Sequence, residues 1–162
     1  MGASGGGVGS GVSAEAVVLP GVAALIHLVS TLMMAGIILF VQMVHYPLKA
    51  RVGADAFSGY QRGHTLRTSW VVVPLMVPEL ASAAWLAALP PAPTLRPLAW
   101  AGLALLGVIW LSTALLQAPD HGRLGKGFDD RIHRRLVRTN WIRTAAWLLR
   151  VPVAVVLALP AS

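Results

Sequence analysis

The chain has 162 residues, 56% of them hydrophobic and 12% charged, with a mean hydropathy of +0.69, and that much apolar surface exceeds what one small soluble core buries. Its formal net charge of +7 is gathered into two blocks between apolar segments, which in a lipid-embedded chain is a topology signal before it is a binding signal. With no cysteine, the chain offers no disulfide, iron–sulfur cluster, thiolate nucleophile or cysteine zinc site.

In chain order, residues 1–16 form a Gly- and Ser-rich segment. It has no Lys or Arg through Ser13, so it lacks the basic start of a signal peptide, and Gly6 stands where a myristoylation signal requires Ser or Thr. A disordered tail without a lipid anchor is expected, followed by one membrane domain over residues 17–162. Crossing about 30 Å of hydrocarbon takes roughly 20 helical residues. Four stretches meet that length, at residues 17–45, 69–89, 97–117 and 139–159, so the predicted fold is all-α, an integral membrane four-helix bundle.

The first loop carries Lys49, Arg51, Arg62 and Arg67, and the approach to the fourth helix carries Arg123, Lys126, Arg131, Arg134, Arg135, Arg138 and Arg143. The opposite side has Arg96 alone. Both basic loops are therefore predicted to be cytoplasmic and both termini outside, in a multi-pass protein of a bacterial-type inner (plasma) membrane. Phe128, Ile132 and Leu136 recur at a spacing of four among arginines, which predicts a short interfacial helix lying against headgroups before the fourth span, with Asp129 and Asp130 at its N-terminal end. Aromatic and basic residues do not interleave as a nucleic-acid stacking platform requires, so no nucleic-acid partner is expected beside the lipid bilayer. Trp70 and Trp141 suit the inner interface and Trp85 and Trp100 the outer one, while Trp110, Trp147 and His27 lie deeper and read as packing. No internal repeat between the two halves stands out.

This topology gathers polar residues near the cytoplasmic interface: His45 and Tyr46 end the first helix, His64 precedes the second, Gln117 and His121 leave the third, and Asn140 and Arg143 begin the fourth. Gln42, His45 and Tyr46 fall at i, i+3 and i+4 and are expected on one face, and Gln117 and His121 likewise if the helix runs through Pro119. A pocket apolar above and polar below suits an enzyme acting on a small lipophilic phenol or quinone, with imidazole as base and Tyr, Asn and Arg holding an oxyanion. No cofactor is predicted, because the sequence has no HxxxH, HExxH or CxxCH spacing. If haem or a metal is bound, His45, His64, His121 and His133 are its candidate ligands. For any one of these histidines, anchoring a helix end at headgroup level is the plainer role.

Glu79 and Arg150 lie about ten residues into two helices that run the same way, which at 1.5 Å per residue puts both roughly 15 Å deep. A lone charge there is costly, so a buried ion pair is expected, with Arg150 also satisfying carbonyls freed by Pro74, Pro78 and Pro152.

Val44-His45-Tyr46-Pro47-Leu48, Gln117-Ala118-Pro119-Asp120-His121-Gly122-Arg123-Leu124 and Asn140-Trp141-Ile142-Arg143-Thr144 together resemble the anthrone-oxygenase-like membrane proteins. That family's third helix usually ends in a segment like NxPxNxxL and its fourth begins with one like WNxxRT. Here Gln117 and His121 replace the two Asn residues and Thr139 replaces the Trp. The resemblance implies oxidation of an anthrone-like carbon acid by dioxygen without a dedicated metal. His45 or His121 would be the base, and Asn140 and Arg143 would hold the oxyanion. Two other readings compete with it: a non-enzymatic small-molecule or proton-coupled carrier, which at this size would work as a homodimer, and a subunit of a larger membrane complex.

Overall fold

Each predicted apolar stretch lies in a helix long and apolar enough to cross a membrane, and at the basic end all four helices run past the predicted limits. The computed structural model describes residues 14–159, with side chains from Gly21 onward. Most of the predicted tail, through residue 13, lies outside the described residues, and α1 begins at Ala14. The first span is α1 (Ala14–Phe40), a widened π-helical turn over Val41–His45 and the short α2 (Tyr46–Lys49). The second is α3 (Ala54–Ala88). The third enters through a single turn at Pro93–Leu95 and consists of α4 (Arg96–Ser112), a second widened turn over Thr113–Gln117 and α5 (Ala118–Leu124). The fourth is α6 (Asp130–Ala158).

Short connections make successive spans antiparallel neighbours. Going round the bundle, α1 packs on α3, α3 on α4, α4 on α6 and α6 back on α1, with α3 and α4 the most loosely packed of these pairs. Three apolar layers fill the interior. Ala24, Leu86, Ala99 and Leu157 occupy the end remote from the basic loops. Met34, Ile38, Met76, Leu106, Ile109 and Trp147 occupy the middle, and Tyr46, Phe57, Leu124 and Leu136 the basic end. Large apolar side chains also cover the outside, Leu66, Leu111, Leu115 and Leu149 among them, as contact with lipid requires.

The expected interfacial helix before the fourth span is not a separate element, because α6 runs unbroken from Asp130. The Asp129 carboxylate caps it by accepting the Ile132 N–H at 3.0 Å. Leu136 is fully buried against Phe57 and Leu124, and Phe128 meets Phe57 edge-on at 4.9 Å. This stripe therefore packs on the bundle itself rather than on headgroups, because α3 extends far enough beyond the apolar core to provide a partner surface. Asp120, fully buried on α5, faces Arg135 Nε at 3.5 Å and so fastens α5 to α6.

The two halves repeat one another, which overturns the expectation of no internal repeat. In each widened turn the next backbone N–H reaches back five residues, Tyr46 to Val41 and Ala118 to Thr113, and a proline follows directly, Pro47 and Pro119. Proline cannot donate to the carbonyl four residues back and its ring crowds it. Widening the turn moves that carbonyl aside without breaking the helix. In this register Arg51-Val52-Gly53 recurs as Arg123-Leu124-Gly125, Phe57 as Phe128, and Arg67-Thr68-Ser69-Trp70 as Arg138-Thr139-Asn140-Trp141, with one residue fewer in the second connection. Both hairpins point the same way, so the relating axis runs along the bundle. Carried one step further, the same register makes Arg150 the counterpart of Glu79.

Gly102 on α4 sets how closely α6 approaches. A Cβ there would lie 2.9 Å from Val153 Cγ1, and the Gly102 carbonyl accepts a hydrogen bond from Arg150 Nη1. Gly102→Ala should therefore destabilise the protein in detergent melting by about 1–3 kcal/mol, the usual cost of overpacking, and Val153→Ala should restore most of the loss.

Candidate functional site

The two widened turns decide where the polar residues point. The regular spacing of Gln42, His45 and Tyr46 predicted one shared face, and the structure corrects this, because the π-helical turn rotates the three apart. Gln42 faces α6, where its Oε1 accepts from Asn140 Nδ2 at 2.8 Å and its Nε2 donates to the Val137 carbonyl at 3.2 Å. His45 faces α3 and stacks on His64 with ring centroids 4.3 Å apart. Tyr46 turns inward and is buried, its hydroxyl 3.1 Å from His121 Nε2.

Between α3 on one side and the second widened turn with α5 on the other lies a cavity of about 680 Å³, backed by α1. Small-molecule sites are usually 300–1,000 Å³. Met34, Ile37, Ile38, Val72 and Met76 line its apolar part, and Tyr46, Gln61, His64, Gln117, His121 and Arg143 line it toward the basic end.

The neighbours of His121 fix its tautomer. Gln61 Nε2 lies 3.2 Å from Thr65 Oγ1, 3.4 Å from the His121 carbonyl and 2.9 Å from His121 Nδ1. The carbonyl can only accept, and the Thr65 hydroxyl spends its own hydrogen on the Gln61 carbonyl. The amide nitrogen therefore belongs where it stands, and Nδ1 accepts from it. The imidazole hydrogen then resides on Nε2 and is donated to the Tyr46 oxygen, which leaves the Tyr46 O–H free to point at a ligand in the cavity. Arg143 reaches the same region from α6. Its Nε is buried with no hydrogen-bond partner among the described residues, and its guanidinium lies over the Trp147 ring at 5.5 Å.

Of the residues singled out from sequence, Tyr46, His64, Gln117, His121 and Arg143 line one cavity. Gln117 accepts from Ser112 at 2.9 Å and donates to Thr139 at 3.3 Å, so it is largely occupied within the protein. His45 stands behind His64 and does not line the cavity. Asn140 is fully buried between α6 and α1, on the opposite side of the bundle from the loose pair. His133 Nε2 lies 3.0 Å from the Tyr46 carbonyl, to which it donates, holding α2 in place. Among the described residues no group of three or more His, Asp or Glu side chains is placed to hold a metal ion.

Glu79 and Arg150 form a separate polar layer in the middle of the bundle, both fully buried, with Arg150 Nη2 3.1 Å from Glu79 Oε1. Thr31 donates to Glu79 at 2.9 Å and the Trp147 indole N–H at 3.1 Å. Arg150 does not serve the proline-freed carbonyls, contrary to expectation. It crosses instead to α4, where Gly102 lets it reach the backbone.

Sequence reasoning missed Gln61 and Thr68, whose hydroxyl lies 3.1 Å from His64 Nδ1. Gln61, His64, Thr65 and Thr68 follow one another at i, i+3, i+4 and i+7, a polar helical face that was visible once α3 was allowed to begin before residue 69. It also missed Lys49, whose Nζ is buried without a hydrogen-bond partner among the described residues and lies 5.6 Å from the Tyr46 ring centre. Compared with protein-family models, curated proteins and solved structures, the chain matches none. Its function is therefore argued from the cavity.

Proposed function

We propose that this chain is a small membrane oxidoreductase of the anthrone-oxygenase type, which binds an apolar aromatic carbon acid or phenol and oxidises it with dioxygen. The observation carrying this reading is the cavity: an apolar chamber with a phenol O–H, a guanidinium and an imidazole at one end. The ligand's rings lie among Met34, Ile38, Val72 and Met76, and its carbonyl oxygen meets Tyr46 and Arg143. As the ring methylene loses a proton, negative charge moves onto that oxygen, where preorganised donors in a dry site act most strongly. His64 is the base. When its Nδ1–H is donated to Thr68, its Nε2 is free to take the proton. The carbanion adds dioxygen, the resulting hydroperoxide loses water, and the methylene becomes a carbonyl, one dioxygen giving one product carbonyl and one water. His121 and Gln61 act through Tyr46 as positioning residues.

The basic connections that flank this end support a cytoplasmic location for it, in a bacterial-type inner membrane with both termini outside. The parallel repeat favours a second reading, a carrier that moves its ligand rather than transforming it. Purified protein in detergent, given a panel of anthrones and hydroquinones, is expected to consume dioxygen, and His64→Ala should abolish the uptake. An absorption spectrum with elemental analysis on the same sample would reassign the histidines if it revealed haem or a metal. Absence of uptake together with accumulation of the same compounds in proteoliposomes would establish the carrier.

A further inference from the structure

The repeat gives every groove in the bundle a counterpart, and one counterpart pair has diverged. The groove between α6 and α1 corresponds to the groove between α3 and α4. In the first, Gln42 and Asn140 bond across the interface at 2.8 Å, Gln42 also bonds to the Val137 carbonyl, and both side chains are buried. The repeat register puts Ala114 in place of Gln42, each second in its widened turn, and Ser69 in place of Asn140, each following the shared Arg-Thr pair and preceding Trp. Neither can span the gap. Ser69 lines the cavity, Ala114 and Ser69 are both exposed, and α3 and α4 are the loosest neighbours in the bundle.

From this we infer that the groove between α3 and the widened turn that follows α4 is a lateral doorway, through which a lipophilic ligand reaches the cavity from within the bilayer, and that it is open because Ser69 and Ala114 replace the clasp that locks its counterpart. Apolar residues flank the doorway outside, with Leu66 61%, Trp70 75% and Leu115 67% exposed, beside the small hydroxyls of Thr65 and Ser69, which line the cavity and are themselves exposed. The ligand class is the apolar aromatic oxygen compound of the proposed function, and to that extent the inference rests on that reading. The doorway itself rests on the repeat.

The test uses the full chain in liposomes with trifluoromethyl-phenyl-diazirine, an apolar carbene precursor that partitions into lipid, followed by peptide mapping of the labelled sites. Wild type is expected to be labelled at Ile37 and His121, which line the cavity and keep part of their surface accessible, as well as at the outward-facing Leu111. Ser69→Asn with Ala114→Gln, which transplants the clasp, should lose the Ile37 and His121 labels and keep the Leu111 label. The reciprocal pair, Gln42→Ala with Asn140→Ser, should open the sealed groove and bring new labelling to Val137 and Thr144. Should one pair fail to fold, the other still decides. Unlabelled Ile37 and His121 in wild type, or unchanged labelling in a folded clasp variant, would overturn the doorway. Labelling that follows the doorway in a protein that neither oxidises nor accumulates anthrones or hydroquinones would leave the doorway standing and remove the substrate reading alone.

Discussion

Arg150→Ala should lower the melting temperature in detergent by about 10 °C, the equivalent of the 3–5 kcal/mol lost when one partner of a buried ion pair is removed. The size of the effect follows from what remains. Glu79 would be left fully buried with donors from Thr31 and Trp147 but no cation, and the Gly102 carbonyl would lose its second donor. Replacing both partners, Glu79→Gln with Arg150→Gln, removes the charges together and keeps amides able to hydrogen-bond, so it should cost less than half as much. Because Glu79 and Arg150 occupy equivalent positions in the two halves and meet inside the bundle, the pair also fixes how the hairpins dock. If the single and double variants melt alike, with both close to wild type, the charges contribute nothing to that docking.

How much of this was legible in the sequence depended on which physical rule was local. Four apolar stretches of sufficient length imply four helices, and depth along the helix was enough to match Glu79 with Arg150, since 1.5 Å per residue is insensitive to side-chain detail. Facing was not legible. A 3.6-residue period puts Gln42, His45 and Tyr46 together, but Pro47 forces a widened turn before it, and one inserted residue sends the three side chains to α6, α3 and the interior. The same device before Pro119 governs Gln117 and His121. The end of α3 was misjudged for a different reason: hydropathy marks where lipid stops, not where the helix stops, and Gln61 and His64 belong to the polar extension of a helix that starts at Ala54. The repeat escaped notice because its marks are short and shifted by one residue midway. Only the paired wide turns lock its register.

On the proposed oxidation, Tyr46→Phe should reduce turnover of an anthrone by about a hundredfold, the usual effect of deleting one oxyanion donor, while the melting temperature stays near that of wild type. The hydroxyl contributes little to the fold, because the His121 Nε2–H is its one protein partner among the described residues and the ring remains packed between Phe57, Leu124 and Leu136. The sharper test lies one step back. The Tyr46 proton faces the ligand only while His121 carries its own proton on Nε2, and that tautomer is held by the Gln61 amide donating to Nδ1. Gln61→Leu removes the donor, so His121 can shift its proton to Nδ1 and accept the Tyr46 hydroxyl instead, turning that O–H away from the cavity. Nitrogen NMR on histidine-labelled protein should then show His121 as the Nε2–H form in wild type and a mixture in the variant. Turnover should fall in the same direction as in Tyr46→Phe but less far. A variant that changes tautomer without losing turnover would take Tyr46 out of the chemistry, and one that loses turnover with the tautomer unchanged would make Gln61 a ligand contact rather than a positioning residue.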